Sequence, residues 1–476
     1  MNRLESIARY KYPITTEQTN ELFQFIYGPL SRRTSLNRIQ SGLSTTYSYD
    51  TLNRITQINH EGIGTIQYPL YDKLGNRKEE INNSTPNHNF HFNYNYNTRY
   101  ELETTLDQSQ QTHFNYQYDL TGNRLTSNEE GNASTSTYTP NNLNQYSQVN
   151  NQTYQYDNNG NLTNDGSQTY TYDYENRLIT AGNTNFKYDA FGRRLAKTTG
   201  SESALYVHDQ DNILQTYNCN SSLQNCSLDQ SFIYSNRIDE PLLYTRYASP
   251  DTRYDYYYHQ DSLGNTIALT KTDGTLKETY QYDPYGKPHF FDSQGQSIPS
   301  SSVNNPYLFT GREWDSETNL YYYRARFYSP RTGRFLQRDG FNYVTEKILF
   351  KNYADKISGD FLIRDGIVKN PLRLHPYLYG RNNPLNLLDP FGFDSEDYQT
   401  AFEMTIRILA AEGMATTGFG FGLAAYETRM IPPLSYWLEF HAVFFEIWSY
   451  KMTKKALSIP LKPEDHNKEE DECVAK

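Results

Sequence analysis

The chain is poor in the aliphatic residues that fill the core of a layered enzyme. Only 36% of its 476 residues are hydrophobic, the mean hydropathy is −0.84, and 45 tyrosines stand against 3 tryptophans. A conventional α/β enzyme carries more Leu, Val, Ile and Ala. Uninterrupted apolar stretches long enough to cross a membrane are also missing, so we expect no spanning helix. The composition instead favours an extended sheet with polar faces.

Basic residues are in the minority. The 44 Lys and Arg residues are outnumbered by 55 Asp and Glu residues, which gives a net charge of −11. Because no basic cluster marks a phosphate-binding track, we expect no nucleic acid as a partner of the β-sheet shell that this chain is expected to form. We also expect no metal and no cofactor, and the C-terminal tail in particular lacks metal-ligand clusters, phosphate loops and nucleophile elbows.

Cysteine is too scarce for a disulfide framework, since the chain contains 3. Cys219 and Cys226 are close enough to bridge across a loop in an oxidising compartment, and two plain thiols are the alternative. Cys473 would then remain free. The first residues, Met1 to Glu5, lack the apolar core of a secretory signal, so export would need a dedicated machine or a larger parent chain.

One returning unit dominates the first half of the chain. It reads Tyr-x-Tyr-Asp-x-x-Gly-Asn-Arg-Leu and is complete at Tyr116–Leu125. Its second tyrosine recurs at intervals of 16 to 25 residues, at Tyr49, Tyr71, Tyr96, Tyr118, Tyr138, Tyr156, Tyr172 and Tyr188. Each interval accommodates one hairpin with its connection. Because a single hairpin is only marginally stable, the copies are expected to join one winding sheet.

The unit itself predicts a strand, a turn and a second strand. Tyr116 and Tyr118 share one face of a strand, because side chains alternate with a period of two. Asp119 is expected to cap the turn, Gly122 to supply a positive φ, and Asn123 to tolerate the left-handed region. We therefore interpret the repeat Tyr and Asp residues as ladder and turn residues rather than catalytic ones. Units that lose the Asp, at 94–97 and 138–141, are interpreted as decayed copies.

From Tyr256 onwards the pattern changes to strands punctuated by Gly and Pro, with arginines placed between aromatic residues on which they could stack. The informative runs are Tyr257–Asn265, Tyr280–Gly286, Phe309–Glu313, Leu320–Tyr328, Thr332–Leu336 and Tyr377–Gly392. They resemble the Rhs and YD-repeat proteins, specifically the Rhs repeat-associated core shared with the C component of bacterial Tc toxins. The resemblance covers roughly residues 47–393.

This resemblance implies a mainly β fold, in which YD-repeat hairpins form a spiralling, cocoon-like shell around a variable C-terminal polypeptide. We expect three parts: a repeat region at 1–250, the repeat-associated core at 251–393, and a short helical tail at 394–476. The implied partners are the chain's own tail as cargo, a secretion machine or second shell protein, and an immunity protein. The implied location is secreted or at the cell surface. Because most family shells have more repeats, we expect this chain to be the C-terminal portion of a longer ancestor, a truncated copy, or one half of a two-protein enclosure.

Many members of this family cut their own backbone at an Asp-Pro-x-Gly-Leu motif, with an upstream aspartate as partner. The corresponding sequence here is Asp389-Pro390-Phe391-Gly392-Phe393, which implies a catalytic Asp389 and scission after Phe393. Paired carboxylates cannot both ionise, so one would polarise the carbonyl while the other activates water. Phe393 departs from the family's Leu, and a plain turn that closes the shell is the alternative interpretation.

The upstream partner has two candidates, because Phe335–Gly340 is echoed by Phe361–Gly366. Asp339, preceded by Arg338, continues the intact motif and is favoured. Asp365 is the rival.

The tail carries helical spacing at Ala401–Ala411 and an apolar stripe that includes His441, which we interpret as a core residue. No enzyme signature is present in it. The first functional hypothesis is therefore a shell that encloses and releases its own tail. A surface adhesin that binds carbohydrate on exposed Tyr and Asn ladders is the second, and a degenerate element without activity is the third.

Overall fold

The computed structural model describes residues 4–10, 19–84, 89–129, 135–249, 251–339, 372 and 375–392. The predicted helical tail with His441, the rival aspartate Asp365, and Phe393 at the predicted cleavage point lie outside these residues. Within the described part the chain consists of antiparallel sheets in which each strand pairs with the next one in sequence. The prediction of a mainly β fold is confirmed.

The first sheet has fourteen strands in sequence order. They are Ser6–Tyr10 (β1), Thr19–Tyr27 (β2), Arg33–Arg38 (β3), Leu43–Tyr49 (β4), Ile55–His60 (β5), Gly64–Gln67 (β6), Glu79–Asn82 (β7), Phe90–Tyr96 (β8), Leu102–Leu106 (β9), Thr112–Tyr118 (β10), Arg124–Asn128 (β11), Ser136–Pro140 (β12), Tyr146–Val149 (β13) and Gln152–Thr153 (β14). A two-stranded sheet follows, formed by Gln155–Tyr156 (β15) and Leu162–Asn164 (β16).

The second large sheet has thirteen strands. They are Tyr170–Tyr172 (β17), Leu178–Ala181 (β18), Thr184–Tyr188 (β19), Arg194–Thr199 (β20), Glu202–Asp209 (β21), Asn212–Asn220 (β22), Ser227–Tyr234 (β23), Pro241–Ser249 (β24), Thr252–Gln260 (β25), Thr266–Lys271 (β26), Leu276–Tyr282 (β27), Pro288–Asp292 (β28) and Ser297–Ile298 (β29). Strands β24 and β25 pair with each other, so the hydrogen-bonded ladder continues across residue 250.

A four-stranded sheet completes the described part, formed by Glu313–Asp315 (β30), Leu320–Tyr323 (β31), Arg326–Ser329 (β32) and Arg334–Phe335 (β33). Short 3-10 helices lie at Pro29–Ser31, Phe309–Gly311 and Gly380–Asn382. Cys219 and Cys226 form a disulfide between the end of β22 and the segment that leads into β23. None of the helices in the described residues is long and apolar enough to cross a membrane.

The aspartate of the repeat unit closes its turn. Oδ1 of Asp119 accepts hydrogen bonds from the backbone amides of Thr121 and Asn123, at 2.8 and 2.9 Å, and Gly122 has a φ of +92°. The expectation for Asn123 was wrong, because this residue does not adopt the left-handed region. Its carbonyl accepts from the Asp119 amide at 2.9 Å, which keeps Asn123 in the ladder, and its Nδ2 donates to Asp119 Oδ2 at 2.7 Å.

The units interpreted as decayed keep the same turn, so that interpretation was wrong as well. Oδ1 of Asn97 accepts from the amides of Arg99 and Glu101, as an aspartate would. The residue four positions after the turn aspartate also differs in these two units. An aspartate such as Asp119 accepts a hydrogen bond from that side chain. Asn97 instead donates to Glu101 Oε2 at 2.7 Å, and Asn141 donates to Gln145 Oε1 at 3.0 Å. Two chemically opposite pairs therefore close one turn geometry.

Tyrosine hydroxyls join neighbouring repeats. The hydroxyl of Tyr118 donates to the carbonyl of Leu102 at 2.7 Å, and that of Tyr172 donates to the carbonyl of Leu162 at 2.7 Å. The same bond links Tyr49 to Arg33, Tyr71 to Ile55, Tyr96 to Arg77, Tyr188 to Leu178 and Tyr282 to Thr266. The interpretation of these residues as a ladder is confirmed, and the hydroxyl of each also satisfies a backbone acceptor of the preceding repeat.

The arginine of the repeat unit anchors the repeats to the later part of the chain. Arg124 is buried and stacks over the ring of Tyr285, with 4.0 Å between the guanidinium carbon and the ring centroid. Arg194 is fully buried between Glu313 and Asp315, at 2.5 Å from each carboxylate. Because a buried cation needs a partner, these arginines fix where the core strands lie against the repeats.

Candidate functional site

The segment 375–392 runs along the turns of five repeats of the first two sheets. Four polar side chains of this segment form hydrogen bonds with groups in these turns or directly beside them. These bonds join Tyr377 to Gly160 and Gln145 at 2.7 and 3.0 Å, Asn382 to Gly122 and Glu101 at 2.7 and 2.9 Å, Asn383 to Asn76 at 2.9 Å, and Asn386 to Tyr96 at 2.9 Å. The segment is therefore held in register by turns that are far apart in sequence.

Glycine is needed at these turns for two reasons: the later residues pack too closely for a side chain, and the backbone has a positive φ. A Cβ atom on Gly122 would lie 2.4 Å from the side chain of Leu372, and one on Gly160 would lie 2.7 Å from the Tyr377 hydroxyl. Both glycines also have a positive φ, which disfavours any other residue. The repeat motif thus leaves room for the last part of the core.

At the far end of this segment one arginine joins the two predicted aspartates. Nη2 of Arg326 lies 3.0 Å from Oδ2 of Asp339 and 3.2 Å from Oδ2 of Asp389. The side chains of all three residues are only 4% exposed. Nη1 of Arg326 donates to the carbonyl of Pro376 at 3.1 Å, and its Nε donates to the carbonyl of Gly392. The guanidinium therefore binds both carboxylates and the backbone directly before Phe393.

Strands of the core place each member of this site. Arg326 is the first residue of β32, and its guanidinium stacks over Phe335 of β33, 3.7 Å from the ring centroid. The Asp339 amide donates to the carbonyl of Pro376 at 2.9 Å. The Ala325 amide donates to the carbonyl of Phe391 at 3.3 Å, which docks the Asp-Pro turn against the β31–β32 connection.

A second arginine ties the Asp-Pro turn to the second large sheet. Arg324 donates to the carbonyl of Pro390, and its Nη2 lies 2.8 Å from Oδ1 of Asp239. Asp239 lies between β23 and β24, and Arg312 also binds it at 2.6 Å. Two arginines that are two residues apart therefore bind the turn, Arg324 at Pro390 and Arg326 at Asp389 and Gly392.

The electrostatics of the site follow from burial around a single cation. Oδ2 of Asp339 and Oδ2 of Asp389 both lie within 3.2 Å of the same atom, Nη2 of Arg326, so the two carboxylates are close together. Carboxylates this close repel each other when both are ionised. The Arg326 guanidinium offsets this repulsion. Nearby, burial raises the pKa of Tyr379, and the charge of Asp389 adds to the rise. The site combines two acids, a cation that orients them, and a polarised backbone carbonyl.

The sequence-based candidates are distributed as follows. Asp339 and Asp389 meet at Arg326, whereas Asp365 and Phe393 lie outside the described residues. Arg338 is half-buried beside Tyr377, where burial raises the pKa of the phenol and the charge of Arg338 opposes the rise.

Arg326 is the residue that sequence reasoning missed. Its position in the aromatic run indicated stacking, which the structure confirms on Phe335. No sequence pattern indicated that it binds the aspartates, which lie 13 and 63 residues away along the chain.

Comparison with known proteins agrees with this architecture. The sequence profile described as the teneurin YD-shell matches residues 18–358. The tRNA3(Ser)-specific nuclease WapA of Bacillus spizizenii is 30% identical over 202 residues, which are 42% of this chain and 7% of that protein. The tRNA nuclease WapA of Bacillus subtilis strain 168 matches with the same identity and coverage.

Among solved structures, the crystal structure of TcdB2-TccC3-Cdc42 superposes with a TM-score of 0.59 at 18% sequence identity. The superposition covers 81% of this chain and 20% of that one. At this level of identity the likeness establishes the fold. The chain spans only a small part of the length of these curated relatives and of this solved chain.

Proposed function

Because this chain belongs to the teneurin YD-shell family, we propose that it is an Rhs-type shell protein that encloses its own C-terminal segment and releases it by cutting itself after Phe393. We further propose a role in toxin delivery, to competing bacteria or to host cells. The segment 394–476 is the proposed cargo, and an immunity protein in the producing cell is its proposed counterpart.

The observation that carries the proposal is the arrangement around Arg326. Two buried carboxylates, Asp339 and Asp389, share its guanidinium, and the same group binds the Gly392 carbonyl one residue before the proposed cleavage point. In the proposed reaction one aspartate, ionised, takes a proton from water while the other, protonated, donates a hydrogen bond to the Phe393 carbonyl. Water adds to that carbonyl, the amide bond breaks, and the proton goes to the departing amine.

Mass spectrometry of the purified chain tests self-cleavage. We expect a fragment that ends at Phe393 and a second fragment of 83 residues, 394–476. Asp389→Asn and Asp339→Asn should each give the full-length chain, because either change removes one of the two acids. Asp251→Asn changes an exposed aspartate at the β24–β25 turn and should cleave normally.

The result also separates the two upstream candidates. If Asp365→Asn abolishes cleavage and Asp339→Asn does not, the partner assigned through Arg326 is wrong. If the wild-type chain remains intact under all conditions in which it is folded, Asp389-Pro390 is a structural turn.

Enclosure and location need a different measurement. Limited proteolysis of the folded chain should leave 394–476 protected, whereas early loss of that segment would contradict enclosure. We propose a secreted or surface location reached through a dedicated export system. The disulfide between Cys219 and Cys226 supports an oxidising destination, because such bonds persist there and are rare in the cytosol.

The alternative, carbohydrate binding on exposed tyrosine ladders, is less favoured by the structure. Ladder tyrosines such as Tyr116, Tyr138 and Tyr170 are between 2% and 5% exposed. The hydroxyls of their neighbours, Tyr118 and Tyr172 among them, already donate to backbone carbonyls. A sugar would find few open ring faces on this ladder.

A further inference from the structure

A cavity of about 430 Å³ lies apart from the Arg326 site. It is lined by residues of strands β20 to β24, by residues 300–301 and 304–306, and by the β30 residues Glu313 and Trp314. Cavities that bind small molecules in proteins commonly have a volume of this order. None of the residues that bind or flank Arg326 lines this cavity.

The basic side chains that line it are already bound. Nζ of Lys197 lies 2.8 Å from Asp315 Oδ1 and 3.1 Å from Glu317 Oε1. Nη1 of Arg246 donates to the carbonyl of Val303 at 3.1 Å. An anionic ligand would therefore have to displace existing bonds to reach either cation.

The acceptors are the groups with capacity to spare. Glu313 is 5% exposed, and its Oε1 binds Arg194, but its Oε2 makes no hydrogen bond within the described chain. Oδ1 of Asp229 lies 3.9 Å from Nη2 of Arg246, and burial raises the pKa of that carboxylate. Tyr206 is 4% exposed and lines the cavity, where its hydroxyl oxygen is a further group able to accept a hydrogen bond.

We propose that this cavity binds a small ligand that carries an ammonium group. Acidic residues of the lining outnumber basic ones, and the basic ones are engaged, so the cavity offers a net negative environment to a donor. An ammonium group has three donors and no acceptor, which matches carboxylates that lack a full set of donors. Trp314 provides an aromatic surface for the alkyl part of the ligand or for the cation itself.

Isothermal titration of the full chain with 1,5-diaminopentane tests the charge requirement. Its neutral counterpart, 1,5-pentanediol, has the same length and replaces each ammonium group by a hydroxyl group. We expect the diamine to bind at least about tenfold more tightly. N-acetyl-lysine N-methylamide, titrated in parallel, shows whether a lysine side chain of a peptide is accepted as well as a free amine. Equal affinity for diamine and diol, or no binding of the diamine, would overturn the proposal.

Variants locate the binding. Asp229→Asn and Tyr206→Phe should each weaken diamine binding, the first by about tenfold, since each removes one acceptor with little change in size. Asp251→Asn removes the same charge from an exposed turn of the same sheet and should leave the affinity unchanged. Glu313→Gln also breaks an ion pair with buried Arg194, so the conclusion rests on the first two variants. If Asp251→Asn weakens binding as much as Asp229→Asn, the ligand is held by the overall charge and not by this cavity.

Discussion

The turn closed by Asp157 gives a quantitative test of how the repeats are stabilised. Oδ1 of Asp157 accepts from the amides of Asn159 and Asn161 at 2.9 and 2.8 Å, and its Oδ2 accepts from Asn161 Nδ2 at 2.9 Å. Asp157→Asn keeps the first two bonds but turns an NH2 group towards the NH2 group of Asn161. If the Asn161 amide flips instead, it loses its hydrogen bond to Asn176 Oδ1, which is 2.8 Å long.

Either outcome removes one hydrogen bond, and the wild-type bond to the carboxylate is charge-assisted. Hydrogen bonds to charged groups contribute about 1.5–3 kcal/mol, so local opening of this turn should become about 10- to 150-fold more frequent. Hydrogen exchange followed by mass spectrometry on a peptide that covers residues 155–164 measures this directly. Asn158→Ala changes an exposed side chain of the same turn and should leave the exchange rate nearly unchanged.

A double variant tests the reasoning. Asp157→Asn combined with Asn161→Gln recreates the pair seen in Asn141 and Gln145, in which the asparagine donates to the glutamine oxygen. It should recover part of the lost protection. If Asp157→Asn exchanges like the wild type, the side-chain bond makes no contribution and the complementarity across four residues has no energetic basis. If the double variant is worse than the single one, the turn does not tolerate a longer side chain there.

Three further perturbations follow from the fold. Burial raises the pKa of Glu80 to about 7 despite the opposing charge of Arg77, so the folded state binds the Glu80 proton more tightly than the unfolded state does. The free energy of unfolding should therefore fall as the pH rises from about 4.5 to about 7. Urea unfolding at several pH values measures this slope, which should flatten in Glu80→Gln. Tyr172→Phe leaves a carbonyl of the preceding repeat without its donor and should cost about 1–3 kcal/mol, whereas Tyr174→Phe, at a residue 88% exposed, should cost almost nothing in the same unfolding assay. Reduction of the disulfide that contains Cys219 should speed hydrogen exchange in the β22–β23 hairpin by an amount that corresponds to about 2–3 kcal/mol, and an unchanged rate would mean that the hairpin is held by its ladder alone.

The sequence predicted the local chemistry well and the distant chemistry only in part. Period-two tyrosines, turn aspartates and glycines of positive φ are properties of about ten consecutive residues, and the structure confirms them. Asn97 and Asn141 were misread because the prediction considered the missing charge and not the oxygen that an asparagine keeps. The complement four residues on was visible in the sequence, as Glu101 and Gln145, but its meaning depends on which atom of each side chain faces the other.

Contacts across the winding sheet could not be derived in this way. Arg326 binds Asp389 because β32 and the 375–392 segment meet in space, and no local pattern connects residues 63 positions apart. The resemblance to known shells supplied both aspartates, since it carries information about tertiary structure that spacing lacks. It did not supply the arginine, because the runs on which the resemblance rests suggested only stacking for it.

The position of Asp389 depends on the repeats as much as on the core. The segment that carries it is hydrogen-bonded to five turns, among them through Asn382 to Gly122 and Glu101. Its partner arginine lies on β32, where Tyr328 donates to the carbonyl of Tyr285 at 2.8 Å and Tyr285 in turn stacks on the repeat residue Arg124. A chain whose repeats have not yet paired lacks both supports, so its two aspartates have no common arginine. On the proposed mechanism, self-cleavage therefore requires that the repeat sheets have already folded. The tail would then be cut only after the shell that is proposed to hold it has formed.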